Sequence, residues 1–181
     1  MSDFVFGIDP ASIRNLGVAF LSVEDRKISV HFHSTVVLPD FETDGARYEG
    51  IYNSLENLLI KYKPSVVVME LSMGFGKSFV RQNLQESVGV MKLCCHKLNI
   101  PVKEIAPTHI KLIMTGSGKA KKREIINSVK SLVNMEKPKT EHEADAVASV
   151  LTYFVDKGLI DPFHDPKPKK KSKKKVNDEL V

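Results

Sequence analysis

Four residues of this 181-residue sequence combine side-chain types and spacing that suit a metal-binding site. Asp9 and Glu70 each end a short apolar run that is typical of a buried strand. His142 and Asp145 lie three residues apart at the start of a helical pattern, and residues with this spacing share one face of a helix. Two carboxylates at strand ends and this helical pair can converge on one point, where their oxygen atoms would bind hard divalent cations.

The elements that must bring these residues together follow from the periodicity of the apolar residues. The predicted strands cover residues 4–9, 17–23, 27–37, 65–70 and 101–105. The predicted helices cover residues 46–62 and 80–98, a short helix opened by Pro107, and residues 119–133 and 140–155. This order predicts an α/β fold, with a mixed five-stranded sheet and helices on both of its faces.

The positive charge of the chain is concentrated at its C-terminus. The whole sequence has a formal net charge of +5 and a pI of about 9.1. Residues 166–181 contain seven lysines against two acids, so residues 1–165 are formally neutral. We expect a single domain over residues 1–160 and a disordered, lysine-rich tail over residues 161–181. The tail could add DNA affinity, act as a nuclear address or aid solubility.

Neither the cysteines nor the hydropathy indicate a secreted or membrane protein. No apolar segment approaches the roughly 18 residues of a spanning helix, and the N-terminus lacks the pattern of a signal peptide. Cys94 and Cys95 are adjacent in an apolar helical pattern, which favours packed thiols in a reducing compartment. We therefore expect a soluble, intracellular protein.

A second basic region lies within the neutral body. Residues 103–123 contain six basic residues against one acid, Glu104, which is the charge pattern of a surface that binds nucleic-acid phosphates. Gly116 and Gly118 would let the backbone approach a phosphate. The alternative is a solvated helix face without a ligand. The six basic residues are Lys103, Lys111, Lys119, Lys121, Lys122 and Arg123.

Several of these segments, in their order along the chain, resemble a RuvC-type Holliday junction resolvase of the RNase H-like superfamily. The resemblance runs from about Val5 to Tyr153 and leaves open a phage or viral member. It implies the RNase H-like fold and a homodimer that binds a four-way DNA junction and nicks two opposing strands with Mg²⁺. The segments that carry it are GIDPASIRNLG, VVVME, Gly89, PVKEIAPTHIKLIMTGSGKAKKREI and HEADAVASVLTY.

The resemblance assigns roles to the four candidate residues. Asp9, Glu70 and Asp145 match the acidic catalytic positions of the family. His142 stands at the remaining catalytic position, where some members carry Asp and others His. Glu143 and Glu141 are instead expected to be solvated acids in the first turn of the last helix.

The resemblance also predicts DNA contacts. Lys111 and Lys122 match basic positions of the family that are associated with DNA. Met73 stands where members often carry an aromatic residue that stacks on a base, and Phe75 is a candidate substitute. Together with the basic stretch, the predicted DNA-binding residues are Lys111, Lys119, Lys121, Lys122, Arg123, Met73 and Phe75.

Hydrolysis of a phosphodiester needs an activated water, neutralised charge on the phosphate and a stabilised leaving oxygen. Two divalent ions about 4 Å apart can supply all three, and we expect two Mg²⁺, for which Mn²⁺ could substitute. Asp9 would bridge the ions, Glu70 would hold one and Asp145 the other. His142 could bind metal or transfer a proton, and we favour a proton-transfer or water-orienting role.

These inferences predict a Mg²⁺-dependent endonuclease that resolves Holliday junctions in recombination and repair. A RuvC-like nuclease of relaxed branch specificity, a non-catalytic junction-binding protein and an actin- or sugar-kinase-like ATPase are the alternatives. We expect a homodimer through the apolar helix 80–98, no nucleotide cofactor and no membrane contact. Its expected location is cytoplasmic or nucleoid-associated in a bacterial or phage setting, and nuclear or at a viral factory in a eukaryotic or viral one.

Overall fold

The computed structural model of the chain describes residues 3–10, 14–71, 78–133 and 138–164, without the side chains of residues 78–80. The strands are β1 (Asp3–Asp9), β2 (Asn15–Glu24), β3 (Lys27–Val37), β4 (Val66–Glu70) and β5 (Val102–Ile105). The helices are α1 (Asp44–Tyr62), α2 (Ser78–Lys97), α3 (Pro107–Thr115), α4 (Lys122–Leu132) and α5 (Glu141–Asp156).

The five strands form one mixed sheet in the order β3-β2-β1-β4-β5. Strands β1, β2 and β3 are antiparallel neighbours, whereas β4 and β5 continue the sheet in parallel with β1. Because β1 and β4 are parallel and Ile8 pairs with Met69, their last residues, Asp9 and Glu70, lie side by side at one edge of the sheet. The predicted α/β fold with a mixed five-stranded sheet is confirmed.

Helices cover both faces of this sheet, as predicted. Alternate residues of β1 point to opposite faces, so Val5 and Phe6 enter two different cores. One core lies against α1 and α2, and its helical contributors include Ile51, Leu55, Leu59, Met91, Cys94 and Cys95. The other lies against α3, α4 and α5, and its helical contributors include Ile110, Met114, Ile125, Val129, Val147 and Phe154.

Two glycines allow α5 to lie directly against the central strands. A Cβ atom at Gly17 of β2 would lie 2.0 Å from the carbonyl oxygen of His142. A Cβ atom at Gly7 of β1 would lie 2.4 Å from the carbonyl oxygen of Ala146. Any larger residue at either position would therefore push the start of α5 away from the sheet. This close contact brings His142 and Asp145 to the edge that carries Asp9.

Helix α4 begins later than predicted. The predicted break at residues 115–118 is present, and Gly116 ends α3 with a left-handed φ of 74°. Lys121 then has an extended backbone, so the helix begins at Lys122 rather than at Lys119. The buried side chain of Ala120 holds the connection against the body, which leaves Lys119 and Lys121 on an exposed loop.

The described chain ends in contact with the body. Ile160 is buried in the second core, and His164 Nε2 lies 3.0 Å from the carbonyl oxygen of Met114. The predicted boundary at residue 160 stays a prediction, and the lysine-rich residues beyond 164 lie outside the described part. Within that part, none of the helices has the length and the apolar character that crossing a membrane requires.

Candidate active site

The side chains of Asp9 and His142 meet at the carboxyl edge of the sheet. Asp9 ends the central strand β1 and is only 8% exposed. His142 lies in the first turn of α5, and its Nδ1 is 3.1 Å from Oδ2 of Asp9. An ionised carboxylate only accepts hydrogen bonds, so Nδ1 donates and Nε2 is the ring nitrogen left to accept a proton. This hydrogen bond raises the pKa of His142, against the opposing effect of burial.

Glu70 and Asp145 complete the acidic cluster. Burial, and then the nearby charges of Asp9 and Asp145, raise the pKa of Glu70 to about 7. Burial and the charge of Asp9 likewise raise the pKa of Asp145 to about 6. The charge of Asp9 therefore lies close enough to oppose the ionisation of both Glu70 and Asp145. The structure brings together all four residues that the sequence predicted as a site.

Two of the predicted DNA-contacting lysines border this cluster. Lys122 Nζ lies 3.2 Å from Oε2 of Glu141 and 3.8 Å from Oδ2 of Asp145. Burial would lower the pKa of Lys122, but its hydrogen bond to Glu141 and the surrounding carboxylates together raise it. The positive charges of Lys122 and Lys111 both lower the pKa of Glu70. These lysines are thus the counter-charges of the acidic cluster.

The remaining predicted DNA contacts lie on the α3–α4 connection, in the first turn of α4 or outside the described residues. Lys119 and Lys121 are exposed on the α3–α4 connection, and Arg123 is exposed in the first turn of α4. Met73 and Phe75 lie in residues 72–77, which the structure does not describe. Their predicted stacking role stays a prediction.

The prediction that Glu143 is solvated is wrong. Glu143 is 3% exposed, and its Oε2 lies 3.0 Å from His33 Nδ1 on strand β3 and 3.0 Å from the backbone nitrogen of Lys139. Glu141 is exposed, as expected. The sequence does contain a signal for the difference, since Thr140-Glu141-His142-Glu143 has the Thr-x-x-Glu pattern in which the glutamate folds back over the helix start.

The comparisons with known proteins agree in fold and family. Residues 5–153 match the family model for crossover junction endodeoxyribonuclease RuvC. The protein of that name from Pseudothermotoga lettingae is 33% identical over 146 residues, which cover 80% of this chain and 89% of the relative. The one from Prochlorococcus marinus strain AS9601 is 31% identical over 157 residues, which cover 86% of this chain and 98% of the relative.

A solved structure matches over almost its whole length. The Thermus thermophilus RuvC in complex with a Holliday junction substrate superposes with a TM-score of 0.78 at 24% sequence identity. The match covers 88% of this chain and 99% of that chain. At this identity the superposition establishes that the two proteins share a fold.

Proposed function

This chain belongs to the RuvC family of crossover junction endodeoxyribonucleases, and on that premise we propose that it resolves Holliday junctions by paired nicks in opposing strands, with Mg²⁺ as its cofactor. One observation supports this most directly. Asp9, Glu70, His142 and Asp145 lie at one edge of the sheet, where the charge of Asp9 raises the pKa of both Glu70 and Asp145. Such a set of mutually repelling carboxyls is what a site for hard cations requires.

The donor set fits a divalent metal ion. Burial and repulsion together destabilise the ionised forms of Glu70 and Asp145, and a bound cation would relieve both. Among the described residues, no three His, Cys, Asp or Glu side chains already stand in the geometry of a metal site. Divalent ions bound there would neutralise charge on the scissile phosphate and acidify the attacking water.

Each of the four residues then has a defined task. Asp9, Glu70 and Asp145 would hold the ions through carboxylate oxygens, and Asp9 would be the shared ligand because its charge acts on both of the others. His142 keeps its ring oriented through the hydrogen bond to Asp9. Its Nε2 would accept the proton of the attacking water, and the raised pKa of His142 favours this acceptance.

The DNA contacts would lie beside this site. Lys122 at the start of α4 and Lys111 on α3 border the carboxyls, and the exposed Lys119, Lys121 and Arg123 extend the positive surface along the α3–α4 connection. Cationic side chains next to an acidic centre would hold the phosphates on either side of the scissile bond. The lysine-rich tail would add affinity that does not depend on sequence.

We further propose that the protein acts as a homodimer through α2. Leu93 of this helix is 53% exposed, although its neighbours Met91 and Cys94 are fully buried. Gly89, one turn earlier on the exposed side, would have no atom within 4 Å of an added Cβ atom. A second copy related by a two-fold axis could pack on this side of α2 and place two active sites on a junction of matching symmetry.

The test is Mg²⁺-dependent cleavage of a labelled, immobile four-way junction, compared with a flap, a fork and a linear duplex of the same sequence. Wild type, Asp9→Asn and the control Asp25→Asn are assayed. Asp25 lies in the turn at the opposite end of the sheet, where its φ of 47° suits Asn equally well. Symmetric nicks in opposing arms by wild type and the control, with binding but no cleavage by Asp9→Asn, support the proposal.

Other outcomes point to the alternatives. Equal cleavage of the flap, the fork and the junction would indicate a nuclease of relaxed branch specificity. Junction binding by wild type without metal-dependent cleavage would contradict the enzymatic proposal and favour a junction-binding protein.

A further inference from the structure

We propose that Glu143 and His33 form a positioning pair that fixes the first turn of α5, and thereby sets His142 and Asp145 opposite Asp9. This inference rests on the proposed function of the acidic site. The two residues of the pair do not belong to that site, because Glu143 faces β3 whereas its neighbour His142 faces β1. The first turn of α5 thus has one face for chemistry and another for anchorage.

The anchoring face is a closed set of hydrogen bonds. The backbone nitrogen of Glu143 donates to Thr140 Oγ1 at 3.1 Å, and Thr140 Oγ1 lies 2.6 Å from Thr35 Oγ1 on β3. Thr35 Oγ1 in turn donates to Glu143 Oε1 at 3.4 Å. If Thr140 donates to Thr35, each hydroxyl has both a donor and an acceptor, so the ring is fully satisfied.

The second carboxylate oxygen of Glu143 bonds to both the segment before α5 and strand β3. Oε2 accepts from the backbone nitrogen of Lys139 and from Nδ1 of His33, both at 3.0 Å. The side chains of Glu143 and His33 are 4% and 18% exposed, so water competes little for these bonds. Removal of either partner would leave a buried polar group without a hydrogen bond, which costs folding free energy. The pair therefore links α5 firmly to β3.

The position of the pair explains why it would matter for cleavage. Glu143 lies between His142 and Asp145 in sequence, so a shift of the first turn moves both residues relative to Asp9. The glycine contacts at Gly17 and Gly7 prevent α5 from moving closer to the sheet, but they do not hold it there. Packing of Val147 and Phe154 in the core holds the later turns of α5, and the hydrogen bonds of Glu143 supply that hold at the first turn. Partners of this kind behind a catalytic site typically change activity or metal affinity by about 10- to 100-fold.

The test compares Glu143→Ala, Glu143→Gln, His33→Ala and the double variant with Alanine at both positions. The amide of Gln can still accept from His33 and Lys139 and can donate to Thr35, so Glu143→Gln should restore what Glu143→Ala loses. The matched control is Thr152→Val. Thr152 is fully buried on the same helix, and its hydroxyl donates to the carbonyl oxygen of Ala148, one turn earlier in that helix. This control removes a buried hydrogen bond at a distance from the site.

Three quantities are measured. The kcat and the Kd for the four-way junction are determined below the melting temperature of every variant, and thermal unfolding gives the rise in melting temperature caused by Mg²⁺ or Mn²⁺. For Glu143→Ala we expect kcat to fall about 10- to 100-fold with little change in Kd, together with a smaller metal-induced rise. The double variant should be no worse than Glu143→Ala, since the two residues act as one unit.

An unchanged kcat and an unchanged metal-induced rise in Glu143→Ala, with only a lower melting temperature as in Thr152→Val, would overturn the positioning role. The thermal measurement separates this inference from the proposed function. If wild type failed to cleave junctions, the proposed function would fail, and the metal-induced rise would still decide whether Glu143 sets the geometry of the acidic cluster.

Discussion

Nδ1 of His142 lies 3.1 Å from Oδ2 of Asp9, so a helix and the central strand of the sheet share a hydrogen bond at the proposed catalytic centre. The bond connects residues that are 133 positions apart in the chain. It aligns the imidazole while leaving Nε2 for a second partner. Asp9 therefore has two proposed tasks, since it orients the residue that would accept a proton and offers oxygen ligands to the ions.

Substitution of His142 tests the proton-accepting role. His142→Ala should lower the single-turnover rate constant for junction cleavage by about 10²- to 10⁴-fold, because the water loses its base, while junction binding persists. His142→Asp should retain far more activity, since a carboxylate can also accept the proton. The rates are measured under single-turnover conditions with saturating protein. Cleavage by His142→Ala at the wild-type rate would contradict the assigned role.

The raised pKa of Glu70 predicts how stability depends on pH when no divalent ion is bound. A carboxyl whose pKa is about 7 in the folded protein and 4.5 as a free group binds its proton more tightly when folded. Its stabilising contribution is complete below pH 4.5 and is lost as the pH rises through 7. Asp145 acts in the same direction over a lower range, from 3.8 to about 6. The metal-free protein should therefore become less stable between pH 4 and pH 8.

Glu70→Gln isolates this effect. In EDTA at pH 8 the variant should be more stable than wild type by about 1 to 3 kcal/mol, whereas at pH 4 the two should be equal. Urea unfolding at both pH values gives the free energies of unfolding, and Glu49→Gln, at an exposed position on α1, is the control. Added Mg²⁺ should stabilise wild type more than Glu70→Gln, because the variant keeps Asp9 and Asp145 but loses one carboxylate ligand. A variant less stable than wild type at pH 8 would contradict the prediction.

The convergence of the acidic residues could be predicted because its causes are local. Apolar runs that end in Asp9 and Glu70 indicate buried strands, and parallel neighbours end at the same edge of a sheet. The spacing of His142 and Asp145 determines that they share a helix face. Hydrophobic periodicity and residue spacing therefore predict that these four residues can converge, and the resemblance to the RuvC family singles them out as one proposed catalytic set.

The features that the sequence did not predict depend on contacts between distant segments. The Thr140-x-x-Glu143 pattern indicates that Glu143 folds back over the helix start, but it does not predict burial against His33, which lies 110 residues earlier on another strand. The start of α4 at Lys122 depends on the burial of Ala120 against the body. Residues 119–124 are mostly good helix formers, so the sequence does not indicate this later start. Gly17 gives no sign in the sequence that a helix carbonyl will occupy the space of its missing side chain.

Replacement of Lys122 tests the DNA surface. Lys122→Met should weaken junction binding and lower the slope of log Kd against log salt concentration by about 1, as expected for one lost phosphate contact. Binding is measured in the Asp9→Asn background so that cleavage does not interfere. Lys130→Met is the control, because Lys130 is an exposed lysine in the last turn of the same helix. An unchanged salt slope would indicate that Lys122 serves only as a counter-charge to Asp145 and Glu141.

Replacement of Leu93 tests the proposed dimer. Leu93 is 53% exposed on α2, and Leu93→Glu would place a charge within the proposed apolar interface without disturbing the core beneath it. Sedimentation equilibrium should give twice the 20.2 kDa chain mass for wild type and a single chain mass for the variant. Ile60→Glu on α1, at a residue that is 54% exposed, is the control and should remain dimeric.

The same variant links the dimer to the pairing of the nicks. A dimer cuts both opposing strands within the lifetime of one complex, so wild type should linearise a junction held in a supercoiled plasmid. A monomer can make only one cut in each binding event, so Leu93→Glu should leave nicked circles at early times while its Mg²⁺-dependent nicking continues. Paired cuts by a monomeric Leu93→Glu would show that coordination does not require α2.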